Sequence, residues 1–305
     1  MQAQWHVADA TIMGTSVHVE LWHPDVRTGK ALVASVFDEL RRIDRLMSPY
    51  KEASELSRIN RDGGQHTVKV SAELVSLIRQ SQRISELTHG AFDITFASVG
   101  FAYDYRSATR PDRGRLDALH SGIDYRNLIT DATASTVSLG RPGVKIDLGG
   151  IAKGYAVERS IGLLQQHGIG HALVTAGGDT RVLGDRRGRP WLVGVRHPRA
   201  RSKLITRLPL DNEAISTSGD YERFFEEDGV RYHHIINPRT GDSARQVQSV
   251  TVVGPDATQT DGLSTSVFVM GVERGLALID SLNGYETIIV DRHGELHYSQ
   301  GLEAR

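Results

Sequence analysis

The sequence predicts an α+β fold in one domain spanning residues 1–305, and three observations lead there. Two-residue and 3.6-residue apolar periods both occur, but they do not alternate as regular βα units, which argues against a doubly wound parallel sheet. No internal repeat or low-complexity linker divides the chain. With 24% charged and 39% hydrophobic residues the composition is that of an ordinary folded domain, which excludes disorder.

Met13, Thr15, Val17, Val19 and Leu21 alternate with more polar neighbours and predict a half-buried strand ended by Pro24. Leu32, Val36, Leu40, Ile43 and Met47 recur at helical spacing, and Ser48-Pro49 stops that helix. SELSRIN, residues 54–60, reads as a short capped turn. Ser71 opens a second helix with Leu74, Ile78, Ser81 and Ile84 on one face, ending at Gly90. Residues 101–122, rich in Arg, Asp, Tyr and Ser, read as a long irregular segment, a kind more often functional than idle.

From residue 144, VKIDLGG predicts a strand running into glycines, followed by a helix, IAKGYAVERSIGLLQQHG, closed by Gly168. HALVTA is a strand, GGD a tight turn, and TRVLG and WLVGVRH are further strands. AISTSGDYERFF, RYHHIINP and QSVTVVG extend this strand-rich half. Residues 260–270 and 272–282 predict two helices, and ETIIVD with LHYSQ a closing strand pair.

The charge balance of 36 Lys+Arg against 37 Asp+Glu gives no basic field for nucleic acid or anionic lipid, so any phosphate must be held locally. Absent cysteine excludes a disulfide framework, thiolate-bound zinc, iron–sulfur clusters, a thiol nucleophile and a lipid-anchor cysteine. No signal-peptide pattern opens the chain, and no stretch approaches the ~18 apolar residues of a membrane span. Gly29-Lys30-Ala31 lacks the other residues of a P-loop, and residues 149–154 do not fit GxGxxG. The 31 glycines, about one residue in ten against the usual ~7%, are the one compositional excess.

Three segments hold candidate chemistry. In IDLGGIAKG, residues 146–154, two glycines precede a helix N-terminus, where backbone N–H groups favour an anion. Lys153 falls within about 80° of the stripe Val157, Ile161 and Leu164, so it points inward. It either meets a ligand phosphate or carboxylate, or it snorkels or pairs with a structural acid such as Asp147. In TDGLSTS, residues 260–266, Asp261 in a first helical turn and Thr265 at i+4 share a face. Their oxygens suit Mg²⁺; equally, the acid would cap the helix and the hydroxyl bond back to a carbonyl. In YHHIINPRTG, residues 232–241, strand geometry turns His233 and His234 to opposite faces, so they do not ligate one metal; one is a candidate acid/base or a structural histidine. STSGDYER, residues 216–223, adds hydroxyls around Gly219, as in a ligand-facing turn.

In this order the segments resemble the ApbE family of flavin transferases, which move FMN from FAD onto a protein threonine. The matching stretches are IMGTSV, LMSPYKEASELSRIN, THGAFDIT, IDLGGIAKGYAVE, AGGD, STSGDYER, HHIINPRTG and TDGLSTSVFVMG, spread over residues 12–271. The resemblance implies mixed or antiparallel sheets with packed helices, a central FAD cleft and one Mg²⁺. It implies flavin-nucleotide contacts at Met13, Tyr50, Ala91, Phe92, Asp93, Asp147, Lys153, Ser218 and Ile236. It implies metal ligation by the Gly150 carbonyl and by Asp261 and Thr265, and a catalytic role for His234. Residues 94–100, ITFASVG, depart from the FDPTVGPL common in the family.

The expected reaction is Mg²⁺-dependent attack of an acceptor threonine on the FMN-side phosphorus of FAD, with AMP leaving and His234 as base. Alternatives are an FAD pyrophosphatase giving FMN and AMP, and a non-catalytic FAD store. The expected partner is a threonine-bearing subunit of a membrane redox complex, with no nucleic acid and no membrane span. Many relatives act outside the inner membrane, and Met1 so close before the first strand resembles a trimmed mature start, so a periplasmic location is expected, with a cytoplasmic one as the alternative.

Overall fold

A computed structural model describes residues 4–200 and 202–303. The strands β1 (Gln4–Ile12) and β2 (Thr15–His23) form a hairpin whose two-residue turn holds Met13 at φ 56° and Gly14 at φ 71°. Met13 therefore belongs to the turn and not to the strand its alternation suggested. The preceding strand left no apolar pattern because its inward residues include His6, Ala8 and Ala10.

Asp25 caps α1 (Val26–Met47) by accepting the Thr28 N–H, and Leu32, Val36, Leu40 and Ile43 bury the predicted stripe. Ser54 likewise caps α2 (Glu55–Asp62), so SELSRIN forms two turns of helix and not a turn alone. After β3 (Val68–Lys69), Ser71 caps α3 (Ala72–Leu87). This helix ends before Gly90 because His89 (φ 51°) and Gly90 (φ 78°) take left-handed backbone, which a helix cannot continue through. The stretch expected to be irregular begins just after α4 (Ala97–Gly100) and contains all of α5 (Arg113–His120), capped by Asp112. The strands β4 (Leu128–Asp131) and β5 (Thr136–Leu139) complete a small sheet ordered β3-β5-β4.

Residues 144–148 are extended but belong to no sheet, unlike the strand the alternation suggested. The Asn60 side chain substitutes for a strand partner: its amide donates to Ile146 O at 2.8 Å and its oxygen accepts Ile146 N–H at 2.7 Å. Burial of Val144, Ile146 and Leu148 on one side produced the two-residue period without a ladder.

The remaining elements are α6 (Ala152–Gln166), β6 (Ala172–Ala176), β7 (Asp179–Leu183), β8 (Trp191–Arg196), β9 (Leu204–Leu210) and β10 (Ala214–Gly219). There follow β11 (Phe224–Glu227), β12 (Val230–His233), β13 (Val247–Gly254), α7 (Ala257–Met270), α8 (Val272–Asp280), β14 (Glu286–Asp291), β15 (Leu296–Tyr298) and α9 (Gln300–Glu303). One eight-stranded sheet, ordered β1-β2-β6-β7-β10-β13-β14-β15, is antiparallel throughout.

Three helices lie side by side on one face: α1 over β1 and β2, α6 over β6 and β7, and α7 over β10 and β13. The other face is closed by the β8–β9 ribbon, whose Trp191, Val195 and Leu210 pack on Val182, Ile215 and Val253. Packed on β10 and β13 and flanked by α6 and α8, α7 is buried nearly all round, which is why its sequence shows no polar face. The α+β class and its antiparallel sheet are as the sequence predicted.

Candidate active site

The helices α6 and α7 touch at Gly154. A Cβ there would sit 2.1 Å from Ala257 O and 2.6 Å from Asp261 Cβ, so only glycine permits the contact. The Gly154 N–H, one of the first-turn donors of α6, is thereby brought 2.9 Å from Asp261 Oδ2. Asp261 is the fifth residue of α7 and is buried; Asp256 caps that helix by accepting the Gln259 N–H. The sequence had Asp261 in the first turn, and the structure moves it one turn inward.

Lys153 points inward as its helical position predicts. Its ammonium lies 2.5 Å from Asp179 Oδ2 and 3.6 Å from Asp261 Oδ1. Asp179, 1% exposed, opens β7 directly after the Gly177-Gly178 turn. The partner is thus Asp179 and not Asp147, the acid considered from sequence. Two buried carboxylates share one ammonium, so with both ionised the cluster carries one negative charge in excess. Burial and the Asp179 charge push the Asp261 pKa up to about 7, against the opposing pull of Lys153. Burial would lower the Lys153 pKa, but the carboxylates of Asp179 and Asp261 outweigh it and raise it.

Beside this cluster β10 lends hydroxyls to α7. Ser218 Oγ is 2.8 Å from Ser264 Oγ and 3.2 Å from Thr265 Oγ1, and Ser216 Oγ is 2.8 Å from Thr260 Oγ1. The Thr265 hydroxyl therefore meets Ser218. Its neighbours Ser264 and Ser266 bond back to the carbonyls of Asp261 and Gly262. Gly150, just before α6, faces the same spot: a Cβ on it would lie 3.1 Å from Thr265 Oγ1 and 3.3 Å from the Phe92 ring. Carboxylate, hydroxyl and carbonyl are the hard oxygens that Mg²⁺ takes, and the excess buried negative charge is what a cation would neutralise. The residues present fit such an ion.

His234 follows β12, where its N–H donates to Arg223 O at 3.2 Å. Its Nδ1 is buried and has no hydrogen-bond partner among the described residues. Burial first, then the positive charge of Arg223, pushes its pKa down to about 3. The adjacent His233 is fully engaged: Nε2 donates to Ala244 O at 2.6 Å and Nδ1 accepts the Ile235 N–H at 3.3 Å. The strand therefore separates a structural histidine from one with a free ring nitrogen, as its two-residue period requires.

The other candidates line different walls. Asp147 accepts the Gly149 N–H at 2.6 Å, and burial raises its pKa. Asp93 accepts Thr95 N–H and Oγ1 on one oxygen and Tyr125 N–H on the other, so both oxygens are engaged within the protein. Burial pushes its pKa up to about 6. Phe92 is buried against Gly150, Ala91 packs towards α7, and Met13 leans on the main core. Ile236 packs among Val99, Tyr103, Leu116 and Phe225, which ties the segment after α4 to the histidine strand. Tyr50, 76% exposed, lines a surface groove with Phe101, Asn60 and Lys145. The sequence reading singled out neither Asp179 nor Asn60; the signals were an acid straight after a double-glycine turn and a polar residue inside a helix.

The family model described as "ApbE family" matches residues 13–289. A curated protein of Vibrio cholerae described as FAD:protein FMN transferase is 33% identical over 286 residues, covering 91% of this chain and 85% of that protein. The crystal structure of the ApbE protein from Thermotoga maritima is similar at a TM-score of 0.91 and 36% identity, covering 99% of both chains. The flavin transferase ApbE from Vibrio cholerae is similar at a TM-score of 0.87 and 29% identity, again over 99% of both chains.

Proposed function

This chain belongs to the ApbE family, and from that premise we propose that it is an Mg²⁺-dependent FAD:protein FMN transferase acting on a threonine of a protein acceptor. The observation that carries the reading is the buried Asp179–Lys153–Asp261 cluster beside Thr265 and Gly150, an anionic oxygen site next to a cation. The Gly150 carbonyl, Asp261 and Thr265 would hold Mg²⁺, which when bound supplies charge neutralisation at the pyrophosphate of FAD. Lys153 would add a positive charge at the same phosphates. Helix α6 has no side-chain cap, and of its first-turn donors the Ala152 N–H is taken by Leu148 O and the Gly154 N–H by Asp261, which leaves the Lys153 N–H as a further donor for a phosphate.

In the reaction the acceptor threonine Oγ forms a bond to the FMN-side phosphorus. The bond from that phosphorus to the bridging oxygen breaks, and AMP departs with this oxygen. The threonine proton passes to His234, whose Nδ1 is unpartnered and whose ring is neutral at pH 7. Catalysis by this chain then consists of positioning and charge stabilisation more than covalent help. The acceptor would be a subunit of a membrane redox complex exposed in the periplasm.

The test is incubation with FAD, Mg²⁺ and a threonine-bearing acceptor domain, read by mass spectrometry. An FMN-sized increment on the acceptor is the expected result. Free FMN without adduct would replace the reading by hydrolysis, and unchanged FAD would replace it by storage.

A further inference from the structure

We infer that Asp179 is a positioning residue which keeps Lys153 off Asp261, so that Asp261 remains available to a divalent cation; this rests on the proposed metal reading of the site. The geometry is asymmetric. Asp179 lies at 2.5 Å from the ammonium, a direct charge-assisted bond, whereas Asp261 Oδ1 at 3.6 Å is beyond hydrogen-bond length. Both acids are fixed. Asp179 sits in the ladder opposite Ser216 and is almost fully buried, and Asp261 is tethered through Oδ2 to the Gly154 N–H. Lys153 is the member with room to move, having an unbranched stem and a side chain 30% exposed.

A part-buried ammonium requires an anionic partner. Without the charge at Asp179 the nearest carboxylate is Asp261, and a shift of about 1 Å makes that contact a direct ion pair. An ammonium seated on Asp261 competes with any metal for the same carboxylate. With Asp179 in place the ammonium is satisfied elsewhere, and the cluster keeps its excess negative charge for a cation. Asp179 thus acts on the metal site through Lys153 without being a ligand.

The experiment is a Mn²⁺ titration without FAD and without acceptor, followed by proton relaxation enhancement on folded protein. Asp179→Asn should weaken Mn²⁺ binding by about tenfold or more. The double variant Lys153→Met/Asp179→Asn should recover affinity close to wild type, because the competing ammonium is gone. Asp179→Glu should retain binding. If Asp179→Asn does not fold, Lys153→Met alone is expected to bind Mn²⁺ at least as tightly as wild type. Unchanged affinity in Asp179→Asn, a double variant as weak as the single, or weakened binding in Lys153→Met would overturn the inference. Absence of Mn²⁺ binding by the wild type would overturn the metal reading itself, and this inference with it.

Discussion

His234 is a neutral ring held in a positively biased, desolvated place, with a pKa near 3 where an exposed histidine has ~6.5. The free enzyme's kcat/KM should therefore show no ionisation of His234 between about pH 5 and 8, and a limb near 6.5 that disappears in His234→Gln would contradict this. The sign for stability follows from the lowered folded-state value. The unfolded chain takes up the proton first, so stability is present above about pH 6.5 and is lost as pH falls towards 3. His234→Gln should flatten that acid-side loss in a thermal melt series. Asp261 shows the same dependence on burial. As a first-turn residue it would cost little to remove; as a buried acceptor of the Gly154 N–H, its change to Ala should cost about 1–3 kcal/mol in urea unfolding. The same substitution should abolish metal-dependent turnover, and retention of wild-type turnover would remove Asp261 from the site.

The element that sets the geometry is the α6–α7 contact. Gly154→Ala places a methyl group 2.1 Å from Ala257 O, against backbone that cannot yield as a flexible side chain would. It should destabilise by about 1–3 kcal/mol and reduce flavin transfer more than a distant surface Gly→Ala, because Lys153 and Asp261 ride on the two helices being pushed apart. A wild-type melting temperature and transfer rate in Gly154→Ala would show that the contact is not needed. At this scale the sequence was legible where an element buries one regular stripe, as in α1 and α3. It was less legible where a side chain replaces a backbone partner. Asn60 holds residues 144–148 extended by bonding both sides of Ile146, and a two-residue apolar period reports extension and burial but not what the backbone bonds to. Likewise α2 is capped at Ser54 but too short to repeat its apolar pattern.

At the scale of the whole molecule, the antiparallel sheet places β7 and β10 side by side near its middle, with α6 and α7 above them. That stacking gathers Lys153, Asp179, Ser218, Asp261 and Thr265 from four elements. With a net charge of -1 the molecule has no broad positive field, so on the proposed reading FAD recognition would fall to this local cluster. Its affinity for FAD at fixed Mg²⁺ should change less than about threefold between low and physiological salt, because buried charges are weakly screened. A steep decline, measured by fluorescence titration, would instead indicate long-range steering by surface charge.

The strand β2, the helices α1, α3, α6, α7 and α8, the inward face of α6 and the placement of Asp261 and Thr265 four residues apart on one helix were readable from the sequence. They depend on periods of two and 3.6 residues, which act over neighbouring positions. The partner of Lys153 was not readable, since Asp179 lies 26 residues away on a strand that only the sheet order brings beneath the helix. Nor were the inward placement of Asp261 and the lowered pKa of His234. Both arise from burial between elements, and the desolvation of a charge is set by everything packed around it, which no local pattern records.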